Sequence, residues 1–234
     1  VYSPLYGAGY KPVTTVLTRM GISFSVVKEQ SLPNGDFPTV SAPNPEQPDA
    51  LRLGIKEAEK SGADCVIATD PDCDRMGGAV RDAGGKFVVL NGNTIGVLLT
   101  DYILKVKSGS GKLPADSVVI KTIVTSELAR AVAEYYGVKC IDVLTGFKFI
   151  GEKIRQYEED GSQTFIFGFE ESYGYLCGTH SRDKDGVVAS MLFAEMVRYY
   201  KSLGETVLER LAWIYKLFGW YKEENITVNY PGIN

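Results

Sequence analysis

Short apolar runs alternate with stretches of helical periodicity along the whole chain, the pattern of an α/β protein. After Pro12, the residues Val13, Val16, Leu17 and Met20 keep one helical face, and Gly21 closes that helix. A loop rich in Pro and Asn runs from Leu32 to Pro48 and contains the segment PNPE, Pro43 to Glu46. Leu51, Ile55 and Ala58 then mark a second helix ending at Gly62. CVIAT (65–69) reads as a short buried strand running into Asp70, KFVVL (86–90) as another, and TIGVLLTDYILKV (94–106) as a helix.

From Lys107 to Pro114 the chain reads KSGSGKLP, a stretch without apolar anchors, and a domain boundary is expected there. The rhythm then restarts. SVVIKTIV predicts a strand, Ser126 caps a helix through Tyr136, VKCIDV is a strand, and a helix follows Thr145-Gly146. TFIFGF (164–169) predicts a strand running into Glu170. Val188, Leu192, Met196, Tyr199 and Leu203 form the stripe of a helix beginning near Asp185. A last helix is expected from Glu205 to Phe218, and WYKEENITV (220–228) as a closing strand. The expectation is two consecutive α/β domains, 1–107 and 113–234, each a mostly parallel or mixed sheet flanked by helices.

Composition narrows the function classes. Of 234 residues, 44% are hydrophobic and 11% aromatic, enough for a packed interior and against a disordered chain. Lys plus Arg number 25 against 29 Asp plus Glu, a net charge of −4 that offers no general attraction to nucleic acid. No apolar run approaches the roughly eighteen residues of a membrane helix. The four cysteines form no CxxC pair and the chain has one His, so neither a zinc site nor a disulfide framework is expected. No basic, apolar leader opens the sequence, and a cytoplasmic protein is expected. Residue 1 is Val and VYSPL reads as the end of a strand, so a piece of a longer protein is expected as well.

The sharpest chemical signal is Asp70-Pro71-Asp72-Cys73-Asp74-Arg75, directly after a buried strand. Alternate residues of an extended loop point to one side, so Asp70, Asp72 and Asp74 can converge on one ion. Three carboxylates this close repel one another unless a cation sits among them. All-oxygen ligation suits a hard cation such as Mg²⁺, and Arg75 could hold a phosphate beside it. An EF-hand reading fails, because loop position six is Arg75 where Gly is needed and position twelve is Arg81 where Glu is needed. A solvated acidic turn is the plain alternative.

The segment Gly168-Phe169-Glu170-Glu171-Ser172-Tyr173-Gly174-Tyr175 is the second signal. Glu170 and Ser172, one residue apart, can face the vicinal hydroxyls of a sugar; a simple helix-entry turn is the alternative. Thr179 to Gly186 gathers His180, Arg182 and Lys184 where a helix begins, within reach of an anionic substrate or a proton. Thr145-Gly146 is a small-residue turn at a helix N-terminus, suited to an oxyanion but common. Lys121 ends a strand, where a plain solvent-facing lysine is the ordinary reading. PLYGAGYKP (4–12) has GxG before a helix but lacks the third glycine of a dinucleotide fingerprint, so it reads as a tight turn.

In this order, PLYGAGYKPV, APNPE, ATDPDCDRMG, TGFKFIG, FGFEESYGYL and DKDGVVA resemble the α-D-phosphohexomutase superfamily, the phosphoglucomutases and phosphomannomutases, over essentially the whole chain. The resemblance implies a cleft of four domains, of which this chain is similar to the second and third. It implies Mg²⁺ held by Asp70, Asp72 and Asp74, sugar hydroxyls held by Glu170 and Ser172, and Thr145, Gly146 and Arg75 as further substrate contacts. It leaves Lys121, His180 and Lys184 as candidates for general acid or base work. It also implies interconversion of hexose 1-phosphate and hexose 6-phosphate, glucose first and mannose second, through a phosphoserine and a hexose 1,6-bisphosphate. No T-A-S-H-N-P-like serine segment occurs in the sequence, nor the family's phosphate loop rich in Arg, Ser, Gly and Thr. The first and fourth domains are therefore expected elsewhere in the same protein, and this chain alone is expected to be inactive. Phe169 stands where Gly is commoner in the family. Two rival readings stay open: a non-catalytic module binding a sugar phosphate or divalent cation, and a metal-dependent phosphatase with Asp70 as nucleophile, in which the EES and KDG segments have no role.

Overall fold

The computed structural model describes residues 1–223 and 232, framed by two four-stranded sheets. In the first sheet β1 (Tyr2–Ser3) runs parallel to β2 (Cys65–Thr69), and β3 (Met76–Arg81) and β4 (Phe87–Leu90) follow as antiparallel neighbours. In the second, β5 (Ser117–Thr122) lies between parallel β6 (Lys139–Val143) and β7 (Thr164–Glu170), and β8 (Gly174–Cys177) adds an antiparallel edge to β7. The helices are α1 (Tyr10–Arg19), α2 (Pro48–Ser61), α3 (Gly92–Gly109), α4 (Leu128–Tyr135), α5 (Phe147–Asp160), α6 (Gly186–Ser202) and α7 (Val207–Phe218). None of the described helices is long and apolar enough to cross a membrane.

Two-residue alternation explains the layers. On β2, Val66 and Ala68 pack with Ala50, Leu51 and Ala58 of α2, while Ile67 joins a second cluster with Phe193 and Met196 of α6. On β5, Val118 and Ile120 pack with Ile150 and Ile154 of α5, and Val119 enters the same cluster as Ile67. That shared cluster draws on both sheets and on α3, α4, α6 and α7, so the two halves of the chain have one continuous interior. Gly96 is a close-approach position within it: a Cβ there would come within 2.0 Å of the Phe169 ring.

Several expectations change. Helix α3 starts at Gly92, capped by the Asn91 side chain, and runs through Gly109, so the stretch from Lys107 expected as a flexible boundary begins as the last turn of a helix. Strands β3 and β8 carry no alternating signal. In β3 two adjacent glycines replace side chains, because Gly77 lies against Pro45 and Gly78 against the Phe193 ring. Ser126 accepts a hydrogen bond from the Leu128 N–H at 3.2 Å, but α4 ends at Tyr135. Trp220 to Glu223 are not a strand, and the rest of the expected closing strand, 224–228, lies outside the described residues.

Candidate metal and sugar site

The acidic loop leaves the first sheet where β2 ends and β3 turns back. Oxygens of Asp70, Asp72 and Asp74 all lie within 4.8 Å of one another. Asp70 is buried, Asp72 exposed and Asp74 between the two. Backbone geometry fixes the convergence. The Asp70 carbonyl accepts from the Cys73 N–H at 3.0 Å, Asp70 Oδ1 accepts from the Arg75 N–H at 3.0 Å, and Cys73 adopts φ of 61°. The GAG turn expected as a plain tight turn is the buttress of this loop. The Ala8 N–H donates to the Pro71 carbonyl at 2.7 Å, and a Cβ on Gly7 would lie 2.3 Å from Pro71 Cα.

Burial, followed by the neighbouring charges of Asp74 and Asp72, pushes the Asp70 carboxyl up to about 7 against the hydrogen bond from Arg75. Burial first, and crowded carboxylates second, therefore keep a proton on Asp70 through the acidic range when no cation is bound. The donor set is all oxygen and three-fold anionic, which fits a hard divalent cation. The fold binds this proton more tightly than the unfolded chain does. Between the ordinary value of 3.8 and about 7, Asp70 therefore makes the cation-free protein lose stability as pH rises. Urea midpoints compared at about pH 5 and about pH 8 should show a steeper fall for wild type than for Asp70→Asn. Saturating Mg²⁺ should remove the difference in slope; parallel profiles without cation would refute the account.

The sugar-loop candidates sit at the carboxyl end of β7. Glu170 is 6% exposed, and its carboxyl is raised by burial against the opposing effects of Lys184 and the Ser172 hydroxyl. The loop turns through Tyr173 at φ of 67° into β8. It is stitched to the acidic loop by backbone: the Met76 N–H donates to the Tyr173 carbonyl at 3.1 Å, and Arg75 and Gly174 form an isolated bridge. The Gly186 N–H, from the DKDG segment, donates to the Cys73 carbonyl at 3.0 Å. Lys184 crosses this junction with Nζ 2.8 Å from Asp74 Oδ2, and Gly174 leaves it room, since a Cβ there would lie 2.3 Å from Lys184 Cδ. Burial opposes its charge, yet the hydrogen bond and charge of Asp74 hold the Lys184 ammonium above its ordinary value.

The remaining candidates are placed differently. Lys121 is fully buried, not solvent-facing, with Nζ 2.6 Å from Glu127 Oε1, 2.9 Å from Asp142 Oδ1 and 3.1 Å from the Thr125 carbonyl. Its ammonium is spent on holding the carboxyl edge of the second sheet. His180 is half-exposed and bound through Nε2 to Asp185 Oδ2 at 2.8 Å, while the other oxygen of Asp185 caps α6. Thr145 and Gly146 open α5 just beyond β6, with Gly146 at φ of 115°. The structure thus brings Arg75, Lys184 and Glu170 to the acidic loop, while Lys121 is tied to Glu127 and Asp142 and His180 is hydrogen-bonded to Asp185. Two side chains within segments marked in the sequence were given no role there. Glu46 pairs with Arg75, and Glu171 accepts from Thr122 and Thr125, each at 3.2 Å.

An acidic loop and a second carboxylate loop stitched together between two α/β/α layers define a member of a known class. The description "Phosphoglucomutase/phosphomannomutase, alpha/beta/alpha domain II" matches residues 1–85, and "alpha/beta/alpha domain III" matches residues 91–213. The chain belongs to the phosphoglucomutase/phosphomannomutase family of the α-D-phosphohexomutase superfamily and covers its domains II and III. The two matches meet on the N-terminal side of α3. A phosphoglucomutase of Staphylococcus saprophyticus is 39% identical over 236 residues, 99% of this chain and 42% of that protein. One from Staphylococcus aureus (strain N315) is 39% identical over 224 residues, 95% and 40% of the two. The chain therefore spans about two fifths of the length of these relatives. In fold it is similar to a protein from Thermus thermophilus reported as a phosphomannomutase, with TM-score 0.72 and 24% identity over 93% of this chain and 45% of that one. An Aspergillus fumigatus N-acetylphosphoglucosamine mutase, solved with GlcNAc-6P and magnesium, shares the fold at TM-score 0.56 and 14% identity, over 88% and 52% of the two chains.

Proposed function

We propose that this chain supplies the cation-binding and sugar-binding loops of a magnesium-dependent hexose phosphate mutase, glucose phosphate first and mannose phosphate second. The observation that carries the reading is the backbone stitching of the Asp70–Arg75 loop to the Glu170–Gly174 loop, with Lys184 spanning both. Asp70, Asp72 and Asp74 would hold Mg²⁺, which when bound neutralises the cluster and polarises a phosphoryl oxygen. Arg75 would hold phosphate oxygens beside it. Glu170 and Ser172 would take neighbouring sugar hydroxyls, a pairing that suits a substrate bound in two orientations. The amide end of α5 at Thr145-Gly146 would receive an oxyanion.

Lys184, kept charged by Asp74, is the best placed of the basic candidates to donate a proton or pair with phosphate, and a poor base while that contact lasts. Lys121 and His180 would act by holding Glu127, Asp142 and Asp185 in place. The phosphoserine, the phosphate loop and the hexose 1,6-bisphosphate they turn over belong to a longer protein containing this chain, in the reading proposed here, with the cytoplasm as its compartment. Phosphoryl transfer needs positioning and charge neutralisation above all, and these loops offer both.

The test is a coupled assay of glucose 6-phosphate formation from glucose 1-phosphate, with Mg²⁺ and catalytic glucose 1,6-bisphosphate. Turnover by the longer protein and none by this chain alone is the expected result. Activity in the isolated chain would contradict the division of labour. Silence of both, with mannose 1-phosphate tried too, would favour a binding module.

A further inference from the structure

The PNPE segment delivers the Glu46 carboxylate to Arg75. Glu46 Oε1 lies 2.8 Å from Arg75 Nη1, while Arg75 Nε stands 3.9 Å from Asp70 Oδ2 and 3.8 Å from Asp74 Oδ1. The guanidinium is thus hydrogen-bonded to Glu46 and held short of hydrogen-bond distance from two carboxylates of the metal loop. We propose that Glu46 is a positioning residue that draws Arg75 off the metal carboxylates, keeping their oxygens open to a divalent cation. The inference rests on reading Asp70, Asp72 and Asp74 as a cation site.

The position of Glu46 is built, not incidental. Asn44 Oδ1 accepts from the Glu46 N–H at 2.9 Å and the Asn44 carbonyl accepts from the Gln47 N–H at 3.0 Å, which closes a turn around Pro45. Pro45 seats on Gly77, where a Cβ would come within 2.7 Å of its own Cβ. Gly77 lies two residues after Arg75, on the strand that the acidic loop leads into, so acid and guanidinium are referenced to one piece of backbone. Both side chains are one-third exposed, and a pair so placed adds little to stability. Its consequence is electrostatic. Without Glu46 the carboxylates within 4 Å of Arg75 are those of Asp70 and Asp74, and closing a gap of 3.8 to 3.9 Å would make the guanidinium a competitor for the cation's ligands. With Glu46 present, Arg75 Nη2 donates no hydrogen bond among the described residues and is left for an anionic ligand.

Mn²⁺ binding to the 234-residue chain, followed by electron paramagnetic resonance of the free ion, tests this in four proteins: wild type, Glu46→Gln, Arg75→Gln and the double variant. Glu46→Gln is expected to raise the Kd about tenfold, the scale at which supporting residues act on metal sites. Arg75→Gln should bind at least as tightly as wild type, and the double variant should match Arg75→Gln. A Glu46→Gln protein that binds like wild type overturns the proposal. So does a loss that persists in the double variant, because Glu46 would then act by its charge alone or through the fold. Asn44→Ala, which loosens the turn and leaves every charge in place, should shift the Kd in the same direction by a smaller factor. It replaces Glu46→Gln should that variant melt early. If wild type binds no Mn²⁺, the cation reading fails and this one with it. If Asp72→Asn abolishes binding while Glu46→Gln is silent, only the present inference fails.

Discussion

Asp72→Asn is expected to weaken Mg²⁺ binding by at least about a hundredfold while leaving the fold intact. Asp72 is the exposed member of the acidic trio and makes no side-chain hydrogen bond among the described residues, so its charge can be removed without orphaning a donor. Asp70 serves less well for this, since it is buried, accepts the Arg75 backbone hydrogen bond and carries the pH effect on stability. In the cation-free state Asp72→Asn should relieve repulsion on Asp70, so the melting temperature in EDTA should stay the same or rise. In a longer active protein, on the proposed reading, the same change should lower turnover on the order of a thousandfold, because a cation held there would stabilise charge that develops during transfer. Calorimetric titration with Mg²⁺ and melting in EDTA read the two effects separately. Undiminished binding would remove Asp72 from the site. Lost binding with an early melt would mean that the loop had collapsed.

The convergence of Asp70, Asp72 and Asp74 was legible in the sequence because the three carboxylates alternate within five residues, and a strand followed by D-x-D-x-D needs no long-range information. The helices were legible from their stripes, and Gly62 closes α2 in the left-handed conformation as its position suggested. What escaped depends on residues distant in sequence. Lys121 looks like a strand-end lysine until the fold brings up Asp142, and Glu46 reaches Arg75 across 29 residues of chain. Strand β3 was hidden because Gly77 and Gly78 mark what packs against them and not which way they face. The stretch from Lys107 misled because three polar and small residues can finish a helix whose buried face has already ended.

Asp101 was hidden in the same way, as one acid inside an apolar helix, and the fold makes it a costly residue to lose. It is 1% exposed. Arg210 of α7 binds it bidentately, Nε to Oδ2 at 2.8 Å and Nη2 to Oδ1 at 2.7 Å. Tyr200 of α6 donates to Oδ2 at 2.9 Å and Tyr136, just past α4, donates to Oδ1 at 3.0 Å. The Arg210 guanidinium stacks 3.8 Å from the centroid of the Trp213 ring. One carboxylate on α3 thus gathers donors from three other parts of the helical layer between the sheets. Asp101→Asn keeps the shape but leaves a buried guanidinium without its counter-charge. The expected cost is about 3–5 kcal/mol, or about 10 °C in melting temperature for a domain of this size. Replacing both partners with apolar residues, Asp101→Leu with Arg210→Met, should recover much of that loss, because the penalty lies in the orphaned charge and not in the missing attraction. Mn²⁺ affinity measured below the melting range should be unchanged in Asp101→Asn, since none of these groups touches the acidic loop. Chemical denaturation of the single and double variants decides the matter: a single variant as stable as wild type would mean that the ion pair is solvated in solution, and a double variant no better than the single would place the cost in packing.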